Sequence, residues 1–179
     1  MRALLVLAAA LVFHPLPDTG STLDEYPRRI GIDVENYHFE LTLSDADDRI
    51  DGRAVISIRF TQDGVTELPL DLISRRDDGQ GMTVRSVSAN GSQLEYEHEG
   101  DLLRIQLAEL GERAALLDVV VEYGGVPASG LRIGPNKYGE RTFFSDNWPN
   151  RARNWLPTVD HPYDKATSEF LVTASRSSR

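Results

Sequence analysis

A chain of 179 residues that is 40% hydrophobic and 26% charged has the composition of one soluble globular domain. Its formal net charge of −9 argues against nucleic acid as a partner, because binding to phosphate requires a basic surface. The lack of cysteine excludes disulfides, thiolate nucleophiles and thiolate metal sites.

The first twenty residues have the pattern of a secretion signal. Met1 and Arg2 supply a positive start, and residues 3–13 form an apolar run that is followed by prolines. A helix that crosses a bilayer needs about 20 apolar residues, so this run is too short, and no second apolar stretch follows it. We therefore expect a signal peptide over residues 1–20, an exported protein (periplasmic or secreted) and no membrane span. The alternative is that the run forms a buried first element of the domain.

Residues 21–31 are expected to form a linker, and strand patterns follow it. Short segments with alternating apolar and polar residues recur between turns, whereas no segment has a convincing helical period. Asn90 and Gly91 between two such segments favour a tight hairpin turn. We predict an all-β fold, a twisted antiparallel sheet or sandwich. The predicted strands cover residues 37–43, 54–60, 66–72, 83–88, 93–97, 102–107, 116–123 and 170–174.

The residues alone predict no catalytic site and no metal site. A common zinc peptidase motif needs two histidines four positions apart with a glutamate beside the first. His98 and Glu99 begin that pattern, but Leu102 stands at the fourth position. The acidic residues 45–51 form too short a loop for calcium and are interpreted as a solvated turn. None of the four histidines has metal-ligand spacing to another; they are His14, His38, His98 and His161.

Residues 152–166 carry the most specific pattern in the chain. An Ala-Arg pair is followed by an apolar residue and proline, then by Asp-x-Pro and Lys-Ala before an apolar strand. This segment resembles the end of the N-terminal β domain of the aminopeptidase N family of zinc metallopeptidases, which includes alanyl aminopeptidases and leukotriene-A hydrolase-like enzymes. Thr158 stands where cysteine is usual. The residues that keep the family spacing are Arg153, Pro157, Asp160, Pro162, Lys165 and Ala166.

The resemblance covers residues 32–174 and implies a non-catalytic domain that scaffolds the enzyme and lines its substrate pocket. In the family, a catalytic domain with the zinc site follows this domain in the chain. We expect that catalytic domain to be absent here, with residues 175–179 as a tail, no cofactor in this chain and zinc only in the missing domain. Its partner would be such a catalytic domain, and peptide would bind only in the full-length context. The alternatives are a stand-alone secreted β-sandwich binding module and a non-functional truncated gene product.

The resemblance also implies roles for individual residues. Asp146 and Trp148 occupy positions from which family members contact substrate, so Asp146 would face the α-amino group and Trp148 would line the pocket for the first side chain. The alternative is that Trp148 anchors the loop in the core and Asp146 caps a turn. Arg153, Asp160 and Lys165 are expected to form a structural charge cluster. Its expected packing partners are Trp155, Leu156 and Tyr163.

Overall fold

The computed structural model describes residues 24–174, so the predicted signal peptide and the predicted tail lie outside the described residues. Nearly all regular structure in this range is strand, and its helix is a single 3₁₀ turn at Ala152–Asn154. The prediction of an all-β fold is confirmed. In chain order the strands are β1 (Ile32–Leu43), β2 (Ile50–Phe60), β3 (Val65–Asp71), β4 (Gly81–Ala89), β5 (Ser92–Gln93), β6 (Tyr96–Glu99), β7 (Leu102–Gly111), β8 (Leu116–Val126), β9 (Leu131–Pro135), β10 (Arg141–Ser145) and β11 (Thr167–Ala174).

The strands form one large sheet and two small ones. The large sheet has six strands in the order β11-β1-β2-β8-β4-β5, the second has the order β3-β7-β6, and β9 pairs with β10. Side chains from the large sheet and the three-stranded sheet belong to one hydrophobic core, as in a sandwich. Strand β11 runs parallel to β1, so the large sheet is mixed, whereas the other pairs of strands in it are antiparallel. No helix in residues 24–174 is long and apolar enough to cross a membrane.

The alternation in β1 and β2 places every second side chain in the core. Phe39 and Ile56 are buried, and the intervening side chains are partly or fully exposed. A register shift between Val34 and Asn36 interrupts the pairing of β1 with β2. Because of this irregularity, Val34 and Tyr37 are both buried although three positions separate them.

Two parts of the chain differ from the sequence prediction. Strands β9 and β10 were not predicted, and together they form a separate hairpin. Residues 24–31 do not behave as a linker, because they pack on the domain. The Arg29 backbone N–H donates to the Tyr163 hydroxyl at 2.9 Å, and the Arg29 guanidinium is nearly buried beside Asp71.

Removing the hydroxyl of Tyr123 is expected to stabilise the domain, whereas most substitutions in a core destabilise it. This side chain lies fully buried across Gly52 of the neighbouring strand, and its hydroxyl has no hydrogen-bond partner among the described residues. Burial raises the pKa of Tyr123 far above its ordinary value. Because an unpartnered buried hydroxyl costs about 1–3 kcal/mol, Tyr123→Phe is expected to raise the free energy of unfolding by about 1 kcal/mol.

Urea denaturation of Tyr123→Phe and Tyr37→Phe checks this prediction. The Tyr37 hydroxyl donates to Asp164 and accepts from the Val159 N–H, both at 2.9 Å, so its removal should instead destabilise by about 1–2 kcal/mol. A loss of stability in Tyr123→Phe comparable to that in Tyr37→Phe would show that the Tyr123 hydroxyl has a favourable partner.

Candidate functional site

Residues 146–166, here called the connecting segment, join β10 to β11 and carry most of the predicted site residues. Trp155 anchors the segment: it is 5% exposed, and its Nε1–H donates to Asn147 Oδ1 at 3.0 Å. Leu156 is also buried. The segment comes close to Gly130, whose backbone oxygen accepts from the Asp146 N–H at 2.7 Å. These contacts make the segment a packed structure with a defined shape.

An ion cluster holds the centre of the connecting segment. Arg153 Nε and Nη2 donate to the Asp160 carboxylate and to its backbone oxygen, both at 3.0 Å. Arg29 Nη2 donates to Asp71 Oδ1 at 2.8 Å, and Arg153 Nη1 lies 3.8 Å from the same oxygen. The positive charges of the two arginines balance the negative charges of the two carboxylates. Because each charged group has a partner within the domain, this arrangement fits a structural role better than a catalytic one. The ion cluster is Tyr26, Arg29, Asp71, Arg153 and Asp160.

Asp71 is the centre of the ion cluster, and sequence reasoning missed it. The residue is 4% exposed, and its Oδ2 accepts from the Tyr26 hydroxyl and from the Asp160 N–H. Its backbone also pairs with Thr158, which ties the end of β3 to the connecting segment. Burial, and next the hydrogen bond to Asp71, raise the pKa of Tyr26. Tyr26 and Arg29 were also missed, because they lie in the predicted linker.

The remaining motif residues have different environments. Pro157 and Thr158 are buried, and Thr158 Oγ1 has no hydrogen-bond partner among the described residues. Pro162 and Lys165 are exposed. Lys165 forms no ion pair with any residue of the described range and lies outside the ion cluster, which corrects the expectation that it joins Arg153 and Asp160.

Asp146 and Trp148 lie at the start of the connecting segment. Trp148 is 77% exposed, so it does not anchor the loop; Trp155 does. Asp146 Oδ2 accepts from Arg151 Nη1 at 2.9 Å, and its Oδ1 accepts from the Trp148 N–H at 3.3 Å. The Asp146 carboxylate therefore holds the turn that presents Trp148, and Arg151 was not predicted to take part.

Trp148 forms part of the rim of an open groove of about 400 Å³. The groove lies between the connecting segment and strands β1 and β11. Rings follow one another along it: Tyr37 and Phe39 have centroids 5.7 Å apart, and Phe39 and Phe170 have centroids 5.1 Å apart. Asp164 supplies an acidic group in the same lining. We call this feature the aromatic groove, defined by Tyr37, Phe39, Trp148, Asp164 and Phe170.

The β9–β10 hairpin that precedes the connecting segment is fixed by the acidic turn. Arg141 Nη2 donates to Asp48 Oδ1 at 2.7 Å and also to the Asp47 backbone oxygen. Arg141 Nε donates to the Ser44 backbone oxygen at 3.3 Å. The turn therefore binds the Arg141 guanidinium through one carboxylate and two backbone oxygens, and it positions the hairpin from which the connecting segment starts.

The described histidines have ordinary partners and do not converge. His38 pairs with Glu169 at 3.1 Å, His98 Nε2 lies 2.9 Å from the Leu72 backbone oxygen, and His161 stacks on Tyr26. Burial lowers the pKa of His98. Within residues 24–174, no three His, Cys, Asp or Glu side chains are placed to hold a metal ion, so these residues do not fit a zinc site.

Comparison with solved structures identifies the fold. The M1 zinc metallopeptidase from Deinococcus radiodurans matches with a TM-score of 0.66 at 23% identity, over 80% of this chain and 32% of that chain. A variant of that enzyme reaches 25% identity, with a TM-score of 0.66 over 81% of this chain and 33% of that chain. Leukotriene A4 hydrolase from Saccharomyces cerevisiae matches with a TM-score of 0.67 at 19% identity, over 80% of this chain and 23% of that chain. No protein-family model and no curated protein matches the sequence.

This chain has the fold of the N-terminal β domain of M1 zinc metallopeptidases. The predicted resemblance is thereby confirmed at the level of fold. The chain spans a third or less of the length of these enzymes, between 23% and 33%. The fold described above therefore corresponds to one part of each of those larger enzymes.

Proposed function

We propose that this chain serves as the non-catalytic β domain of an exported M1-type aminopeptidase. In this role it supports a catalytic domain and lines the pocket that receives the first residue of a peptide. Zinc chemistry would belong to the catalytic domain, and peptide would bind where the two domains meet. Export remains a prediction that rests on the sequence pattern of residues 1–20.

The observation that carries the proposal is the position of Trp148. The connecting segment is otherwise packed, yet it presents this large ring to solvent on the rim of the aromatic groove. An exposed aromatic side chain on a rigid, anchored segment is typical of a binding surface. The resemblance to the aminopeptidase N family implies the same role for this position, which supports the proposal.

Asp146 retains the capacity to accept an ammonium group. A carboxylate has about four lone-pair sites, and in this structure Asp146 accepts from Arg151 Nη1 and from the Trp148 N–H. The side chain is about half exposed, so an α-ammonium group could approach its free side. Arg151 would then share the carboxylate with the substrate.

Strand β11 supports the presence of a partner domain. Every residue of this edge strand is exposed, and Phe170, Leu171 and Val172 are each about half exposed. Soluble domains usually protect edge strands with lysine, proline or a bulge, and β11 has neither lysine nor proline. An apolar edge strand beside the proposed substrate groove fits an interface with a catalytic domain.

The substitution Trp148→Ala tests the proposal in a protein that carries this domain together with an M1-type catalytic domain. Loss of the ring from the pocket is expected to raise KM for aminoacyl anilides about tenfold, with kcat changed by about twofold or less. Hydrolysis kinetics with added zinc provide the measurement.

Tyr138→Ala is the matched control, because Tyr138 is 76% exposed but does not line the aromatic groove. It should leave KM unchanged. Equal kinetics of Trp148→Ala and the unmodified protein would contradict the pocket role. Zinc-dependent turnover by the purified 179-residue chain would contradict the assignment of this chain as non-catalytic.

A further inference from the structure

Asp164 differs from the other acidic residues of the connecting segment in having no cationic partner. Its carboxylate accepts from the Tyr37 hydroxyl at 2.9 Å and from the Val34 backbone N–H, and no Lys, Arg or His among residues 24–174 forms an ion pair with it. Asp160 is paired with Arg153, and Asp146 is paired with Arg151. The negative charge of Asp164 is therefore not balanced by an ion pair within the described domain.

The surroundings of Asp164 disfavour its charged form, and a cation bound beside it would offset this. Burial raises the pKa of Asp164, the hydrogen bond from Tyr37 opposes this shift, the nearby charge of Asp33 adds to it, and the hydrogen bond from the Val34 backbone opposes it again. A cation beside the carboxylate would favour its charged form. The side chain is only partly buried and lines the aromatic groove, so a ligand can reach it.

The rest of the aromatic groove suits a long aliphatic cation. Its volume of about 400 Å³ falls within the range of small-ligand sites. The rings of Phe39 and Phe170 offer apolar surface for the methylene stem of a lysine or arginine side chain. The exposed Trp148 ring can attract a cation through its face.

We propose that the aromatic groove binds a lysine or arginine side chain of a bound peptide, with Asp164 as its counter-ion. This inference rests on the proposed function and adds a class of substrate to it, namely peptides with a basic residue. The site is separate from Asp146, which would receive the α-ammonium group.

Titration of the isotope-labelled 179-residue chain by NMR tests the inference with three probes. In Nα-acetyl-L-lysine amide the only cation is on the side chain, and Nα-acetyl-L-norleucine amide has the same aliphatic stem without a charge. In L-leucine amide the only cation is the α-ammonium group. The lysine probe is expected to shift the Trp148 indole signal and to bind about tenfold more tightly than the norleucine probe. Asp164→Asn should abolish this preference, because asparagine can still accept from Tyr37 but carries no charge.

Glu112→Gln is the control for net charge, since Glu112 is exposed and does not line the aromatic groove. It should leave the preference for the lysine probe intact. As a second variant, Ser168→Lys places a cation in the lining of the groove and should block the lysine probe.

Several outcomes would overturn the inference: equal binding of the lysine and norleucine probes, no binding of either, or unchanged binding in both Asp164→Asn and Ser168→Lys. Binding of leucine amide without binding of the lysine probe would refute the basic-side-chain site and leave the proposed function standing. Binding of the lysine probe at Asp164, combined with unchanged kinetics of Trp148→Ala, would refute only the proposed pocket for the first residue.

Discussion

Replacing Asp71 by alanine is expected to lower the free energy of unfolding by about 3–5 kcal/mol, because it leaves a buried guanidinium without its counter-ion. The side chains of Asp71 and Arg29 are 6% and 7% exposed, so solvent cannot replace the lost contact. The change also removes the acceptor of the Tyr26 hydroxyl and of the Asp160 N–H. Urea denaturation followed by circular dichroism measures the loss.

Asp48→Ala provides a control at an ion pair of similar length but greater exposure. The Asp48 carboxylate lies 2.7 Å from the Arg141 guanidinium and is about half exposed, so its loss should cost about 1 kcal/mol or less. The double substitution Arg29→Met with Asp71→Leu should recover part of the stability lost in Asp71→Ala, since it removes both buried charges. Equal effects of Asp71→Ala and Asp48→Ala would show that the ion cluster does not hold the connecting segment.

Gly125→Ala is expected to destabilise the domain by about 3 kcal/mol or more, through a steric conflict in the large sheet. A Cβ atom at this position would lie 2.1 Å from the Gly81 backbone oxygen and 3.0 Å from the Met82 Cα. Both atoms belong to the neighbouring strand β4, which cannot move away without losing its pairing with β8. Thermal unfolding and the yield of soluble protein are the measurements.

Gly134→Ala separates this conflict from the general effect of adding a methyl group to a strand glycine. A Cβ atom on Gly134, in β9, would have no neighbour within 4 Å, so a change of about 0.5 kcal/mol or less is expected. A Gly125→Ala domain as stable as Gly134→Ala would contradict the close approach of β4 and β8.

Much of the large sheet could be predicted because its signals are local. Period-two alternation in β1 and β2 reflects one face on the core, and it can be recognised without knowledge of the partner strand. The Asn90-Gly91 pair likewise predicts a tight turn from local sequence, and both residues adopt positive φ, 50° and 78°. The β9–β10 hairpin lacks such signals, because it is short and includes Gly134 and Pro135.

The core of the connecting segment could not be predicted in full, because its partners are distant in the chain. Asp71 occupies a position between Leu70 and Leu72 that alternation assigns to solvent, yet the connecting segment covers it. Arg29 reaches it from a stretch that resembles a linker. Single-sequence patterns contain no information about contacts between residues so far apart, whereas the Arg153–Asp160 pair lies within one motif.

The positions of Asp146 and Trp148 came from the family resemblance, and the structure adds the contacts around them. Arg151 binds the Asp146 carboxylate, and the Trp148 ring is free at the groove. The substrate roles of both residues are predictions, and the kinetics of Trp148→Ala test the role of Trp148. The sequence did not indicate that Asp164 lacks an ion pair, because this depends on where the folded chain places every neighbouring cation.

The parallel pairing of β1 with β11 has a consequence for biosynthesis. Asn36 and Thr167, which face each other at the start of this pairing, are 131 positions apart. During translation, β1 can pair with β2 early, but its other edge stays uncovered until almost the whole domain has left the ribosome. Contacts over such sequence distances form slowly, and an open strand edge can meanwhile pair with other chains. A nascent chain of this protein would therefore depend most on chaperones in the interval between synthesis of β2 and arrival of β11.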